Sequence, residues 1–220
     1  MISGQAKQTI SGGDTCDHSD VIEVRRATVD DLDRSAEVLG LAFADYAWTR
    51  WTVDPDDHVE RITGLQRLAL ENLGLPFGQV WLATVDGIIE SVAVWMDSAI
   101  PVPAATHRPI AEAAAALAGS RSAASLAADA QLSAWRPLRH HLYLGAIGTA
   151  PTAQRRGLGA RVLAPMLALA DREGTAAFLE TSSPSNVDFY VRLGFTVIDQ
   201  CRIAGGGPDV WAMLREPIRR

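Results

Sequence analysis

Leu144-Gly-Ala-Ile-Gly-Thr-Ala-Pro-Thr-Ala-Gln154-Arg-Arg-Gly157-Leu-Gly159-Ala160 runs from the end of an apolar strand, through a short polar loop, into the first turn of an apolar helix. A helix that starts this way presents backbone N–H groups without intrahelical partners and the positive end of its dipole. Gly157 and Gly159 let an anion approach the backbone closely, and Arg155 and Arg156 add positive charge. Together these features point to a phosphate or pyrophosphate site. Two common phosphate motifs are excluded. The chain has no Gly-x-x-x-x-Gly-Lys-Ser/Thr run, and the third glycine of a dinucleotide fingerprint would fall where Val162 stands.

Downstream, residues 158–173 read as a helix, 176–181 as a strand, 186–193 as a short helix, and 195–202 and 210–214 as strands. A strand over residues 142–149 followed by helix and strand implies a parallel pair with a crossover helix. Upstream, residues 21–25 read as a first strand. Thr28, with Asp31 three positions on, is a helix-start signal ahead of Leu32, Ala36, Leu39 and Phe43. A second amphipathic helix is expected over residues 57–72, with Gly74 as its stop. Asp86-Gly87 between two β-prone runs predicts a hairpin. Residues 98–109, with Pro101, Pro103 and Pro109, are expected to form a loop, and the alanine-rich residues 110–134 one or two helices broken near Gly119-Ser120. Residues 1–20 are polar and glycine-rich and are expected to be a disordered tail; residues 21–220 are expected to form a single domain.

The chain has 220 residues, of which 48% are hydrophobic, enough to bury a sizeable core. A net charge of −6 argues against a general nucleic-acid binder. No apolar run spans a membrane and no secretory signal is seen, so a cytoplasmic protein is expected. Cys16 and Cys201 make neither a metal framework nor a disulfide scaffold and read as free thiols. His140-His141 lack the further ligands a metal needs and read as surface and strand start; no metal is expected.

Gln154-Arg155-Arg156-Gly157-Leu158-Gly159 resembles the Gln/Arg-x-x-Gly-x-Gly/Ala signature of the GNAT superfamily of N-acetyltransferases. That family's later pattern also resembles Asn186-Val-Asp-Phe189-Tyr190-Val-Arg-Leu-Gly194-Phe195, in the same order. The resemblance implies an α/β fold, a mixed, twisted sheet of about seven strands with helices on both faces. It implies direct acetyl transfer from acetyl-CoA to a primary amine of a small molecule, by a monomer or homodimer. Phe43-Ala-Asp-Tyr46, Thr52-Val-Asp-Pro55, Gly119-Ser-Arg121 and Phe178-Leu-Glu-Thr-Ser182 are further similar to stretches of the puromycin-acetylating branch, with residues 99–141 diverging most. This implies puromycin or a related aminoacyl compound as acceptor, and hence antibiotic resistance. An unrelated small amine, a protein or peptide amine, and a non-catalytic acyl-CoA-binding module stay open.

By the same resemblance, the backbone of Arg155, Arg156, Gly157, Leu158, Gly159 and Ala160, with Gln154 opening the signature, holds the pyrophosphate of coenzyme A. Ile147 and Thr149 pair with its pantetheine arm like an added strand. Gly148 reads first as a bulge that opens the sheet, with a packing glycine as the alternative. Asn186 reads as a pantetheine contact or as the cap of the short helix. Tyr190 is the expected general acid for the departing thiolate or else a half-buried aromatic of an amphipathic helix, with Phe189 in the core, and Glu180 is the candidate general base or else a charge at a strand end. Tyr46, Trp48 and Trp51 read either as an acceptor site that stacks on a ring or holds a cation, or as a hydrophobic corner between helices.

Overall fold

A computed structural model of the protein describes residues 20–218. The tail expectation for residues 1–20, and with it Cys16, lies outside these residues apart from Asp20.

The seven strands form one sheet in the order β1-β2-β3-β4-β5-β7-β6. β1 (Ile22–Arg26), β2 (Gly78–Val85), β3 (Ile88–Asp97) and β4 (His141–Thr149) pair antiparallel in succession, the β2–β3 turn falling at Asp86-Gly87 as expected. β4 then pairs parallel with β5 (Ala176–Thr181), and β7 (Asp209–Arg215) lies antiparallel between β5 and the edge strand β6 (Thr196–Arg202). The parallel pair is joined by α7 (Leu158–Glu173), whose apolar face buries Leu158, Val162, Leu163, Met166, Leu167 and Ala170.

Helices cover both faces. α1 (Leu32–Phe43) packs on one side of β3 and β4, where a Cβ on Gly148 would stand 2.7 Å from the Ala42 Cβ. The neighbouring Ile147 points the other way, towards Gly159 of α7. α1 is entered through the expected helix start: the Asp31 carboxylate accepts from the Thr28 N–H at 2.8 Å and its hydroxyl at 3.1 Å. It also takes two hydrogen bonds from Arg25, which hold the Asp31 carboxyl down at about 2.

One element adds to the sequence reading, and two local expectations are corrected. Residues 47–52 form a short helix, α2, from residues of modest helix propensity; the Thr49 and Thr52 hydroxyls tie it by bonding back to the carbonyls of Tyr46 and Trp48 at 2.9 Å. Gly74 does not stop the next helix: α3 (His58–Ala69) runs on through a π turn, Leu70–Gly74, into α4 (Leu75–Phe77). Gly74 is buried there, with a Cβ position 3.2 Å from Val80 and Val94, so its role is close packing. Residues 104–109 belong to α5 (Ala104–Ala118) rather than to a loop. Pro109 removes one hydrogen bond near the start of that helix, which the alanine run beyond it outweighs. The expected break does occur: Gly119 has φ 65°, and α6 (Ser122–Leu132) follows. A short helix α8 (Pro184–Arg192) precedes β6.

Candidate active site

β4 and β5 pair only over His141–Tyr143 against Ala176–Phe178. Beyond Tyr143, β4 follows β3 while β5 follows β7, and the sheet forks. At the fork the β3–β4 register shifts between Val94 and Trp95, leaving Gly145 without a partner residue. The irregularity expected at Gly148 therefore lies at Gly145. Gly148 is regularly paired with Val92 and is kept small by α1. Its carbonyl turns to the Ser91 hydroxyl at 3.1 Å, so alternation turns the carbonyls of Ile147 and Thr149 into the fork.

A cavity of about 370 Å³ fills the fork. Tyr190, Glu180, Ile147, Asn186, Tyr46 and Trp48 all line it. Tyr190, on α8, is only 4% exposed, its ring edge-on to Phe189 and Phe195. Its hydroxyl has no hydrogen-bond partner among the described residues. Burial, with Tyr46 nearby, pushes the phenol above its ordinary pKa, so it stays protonated. Tyr46 ties the first-helix region to the end of β5, its hydroxyl accepting from the Ser182 N–H at 2.6 Å and meeting the Thr181 hydroxyl at 2.9 Å. Asn186 donates to the same Thr181 hydroxyl at 3.3 Å, and the N-cap of α8 is Ser183, so the cap reading of Asn186 is not realised.

Glu180 is brought to the same wall by register. Tyr143 stands opposite Phe178, and Glu180 is two residues further along β5, on the same face. The Tyr143 hydroxyl donates to Glu180 Oε2 at 2.8 Å, Arg136 Nε stands 3.9 Å from Oε1, and the Arg136 guanidinium lies over the Tyr143 ring. Burial pushes the Glu180 carboxyl above the usual range against the lowering pull of Tyr143 and Arg136, which makes it a stronger base. Asp129 on α6 faces the same cavity, its carboxyl also raised by burial. Tyr143, Arg136 and Asp129 were not legible as site residues, because strand register and the α6 crossing bring them together from separate segments.

The anion end lies at the start of α7. Gly157 has φ 77° and Arg155 φ 62°, both in the left-handed region, and this turn aims the first N–H groups of α7 outward. No protein acceptor among the described residues takes the N–H of Leu158, Gly159 or Ala160; the first turn closes with Arg161 N–H to Gly157 O at 3.1 Å. Gln154 donates to the Thr149 carbonyl at 3.3 Å, and Arg156 pairs with Asp20, leaving Arg155 without a carboxylate partner among the described residues. Free N–H groups beside an unpaired strand edge fit a molecule with a pyrophosphate followed by an amide-bearing arm.

Trp51 does not line this cavity. It packs against Ile203 and the turn at Gly205 and Gly207, with the Arg121 guanidinium 5.7 Å from its ring, and realises the hydrophobic-corner reading. Trp48 does both, lining the cavity and joining that cluster. His140 pairs with Asp97, and His141 starts β4 with its ring on the Arg139 carbonyl. Cys201 is a free, half-buried thiol accepting from Gln131.

Residues 125–204 match the family model described as FR47-like protein. Among solved structures, the chain is similar to one described as histone acetyltransferase HPA2 and related acetyltransferase from Corynebacterium glutamicum, with 25% identity over 90% of this chain and 98% of that one, at TM-score 0.66. It is also similar to a putative acetyltransferase of the GNAT family from Desulfovibrio desulfuricans, with 18% identity over 89% and 99% of the two chains at TM-score 0.55. A third is a putative acetyltransferase from Salmonella typhimurium with its cofactor acetyl-CoA, with 16% identity over 91% and 96% at TM-score 0.53. The forked seven-stranded sheet, the matched segment and these likenesses together give this chain the fold of the GNAT acetyltransferases.

Proposed function

We propose that the protein transfers an acetyl group from acetyl-CoA to the primary amine of a small molecule, in the cavity at the β4–β5 fork. The observation that carries this reading is the convergence there of an unpaired strand edge, a protonated tyrosine hydroxyl with no partner among the described residues, and a buried carboxylate. The N–H groups of residues 158–160 and the Arg155 side chain hold the pyrophosphate, while Ile147 and Thr149 pair with the pantetheine arm and Asn186 flanks it. Acetyl-CoA, when bound, supplies the thioester carbon that the amine attacks.

Glu180 takes one proton from the amine as the N–C bond forms, directly or through a water. The Ile147 N–H is placed to steady the oxyanion. As the C–S bond breaks, Tyr190 gives its proton to the sulfur, and both side chains recover their starting states by exchange with solvent. Tyr46 and Trp48 form the acceptor wall.

For the acceptor, the resemblance of residues 43–55 and 178–196 to the puromycin-acetylating branch favours puromycin or a related aminoacyl compound. In that reading the enzyme removes an amine that acts as a peptide acceptor. The test is mass spectrometry of puromycin after incubation with enzyme and acetyl-CoA. Acetylpuromycin supports the acceptor; unmodified puromycin alongside acetylation of other amines discards it and keeps the reaction.

A further inference from the structure

A second cavity, of about 360 Å³, lies between α3, α5 and α6. Trp48, Thr49, Gln66, Leu73 and Asp129 line both this cavity and the one at the fork, so the two share a wall. The far side is made by α5, with His107 and Ile110 at one end and Ala111, Ala114, Ala115 and Ala118 beyond them. The alanine spacing puts four methyl groups on one helix face, running from the exposed Ala111 through the half-buried Ala114 and Ala115 to the buried Ala118. A face in that position ordinarily carries leucine or isoleucine and fills the interior to crystal density. Here, beyond Ile110, four side chains in a row on that face stop at Cβ, and the space stays open. Leu126 of α6 lines it as well and is 62% exposed, so on this side the cavity opens to solvent past a large apolar side chain that has no cover. Pockets for drug-sized ligands run to several hundred Å³ and are mostly apolar with a few polar groups. The fork cavity must already hold the thioester and the amine, which leaves little of its volume for the rest of an acceptor.

We propose that this alanine-walled chamber receives a bulky apolar part of the acceptor, so that the substrates are amines carrying a large aliphatic or aromatic group a short linker away. The inference rests on the acetyl-transfer reading of the fork cavity. The amine sits at Glu180 and Tyr190, the linker passes between Trp48 and Asp129, and the apolar group lies against α5. Gln66 and Asp129 at the shared wall meet the linker, where polar atoms of an acceptor find partners.

The test compares octylamine with ethylamine as acceptors, reading thiol release from acetyl-CoA, in the wild type, Ala114→Phe and the milder Ala115→Leu. A parallel titration of octylamine follows tryptophan emission, with Trp48→Phe identifying the Trp48 signal at the shared wall. The wild type is expected to prefer octylamine in kcat/KM by at least about tenfold, and filling the chamber to cut that preference by about tenfold through KM, the discrimination a few methylenes give. Thiol release with the same octylamine preference in all three proteins keeps acetyl transfer and overturns the chamber. A Trp48 emission change that both filled variants weaken, without thiol release from any amine, keeps the chamber and overturns acetyl transfer. No emission change and no release overturns both.

Discussion

The two sides of the fork are built on opposite principles. On the α7 side the binding features are backbone: left-handed turns at Arg155 and Gly157, free N–H groups, and a strand edge. On the α3–α5–α6 side they are absences: alanines where larger side chains would close the space. A pyrophosphate has one shape and charge, so the chain that holds it is constrained residue by residue. An acceptor chamber is defined by volume, which many sequences provide. On the proposed reading, the reaction is written in specific positions and the acceptor in the sizes of side chains.

Tyr190, which lines the fork cavity, gives the largest expected effect. Tyr190→Phe should lower kcat by about 10²–10⁴-fold, the range of a positioned acid, with acetyl-CoA affinity little changed. Unchanged turnover would show that neither side uses it.

Glu180→Gln comes next, with a loss of about 10²-fold in kcat. Burial raises the Glu180 carboxyl, so wild-type kcat should fall as pH drops through that raised value, above the ordinary carboxylate range. The variant should lose that limb. The same shift sets a stability sign: a raised folded pKa stabilises below the unfolded value of 4.5, and that contribution is lost as pH rises through the folded one. Denaturation of Glu180→Gln against wild type should therefore favour the variant near neutral pH. A pH profile that survives the substitution would move the base elsewhere.

The smallest effect separates binding from folding within α7. Gly157 and Gly174, at its two ends, both have positive φ, 77° and 68°, and both have open space at their Cβ positions. Valine at either should cost about 1–2 kcal/mol in stability from left-handed strain. Only Gly157→Val should weaken acetyl-CoA binding in calorimetry, by about tenfold. Equal weakening from both would mean that the helix start has no special role.

What the sequence made legible follows the same division. The Asp86-Gly87 hairpin, the Thr28–Asp31 helix start, the crossover from β4 to β5 and the α7 turn each depend on local chemistry that a few adjacent residues state in full. The bulge reading of Gly148 and the stop reading of Gly74 give way to close packing, against α1 and against Val80 and Val94, because a glycine in sequence does not say what approaches it. Of the two readings given to Tyr46, Trp48 and Trp51, Trp51 takes the hydrophobic corner: both tryptophans, one turn apart on α2, join the Ile203 cluster, and of the two Trp48 alone also lines the cavity. Tyr143, Arg136 and Asp129 carried no linear signal. Their meeting around Glu180 depends on how β4 registers on β5 and where α6 crosses, both long-range outcomes of packing.

The most direct test is to mix the enzyme with acetyl-CoA alone, follow free thiol, and then add an amine acceptor. Direct transfer at the fork predicts no thiol before the amine and steady, amine-dependent release after it. A burst of thiol equal to the enzyme concentration before any amine is added would mean an acetyl-enzyme intermediate. That result would contradict the roles given to Tyr190 and Glu180, as would bound acetyl-CoA with no release for any amine.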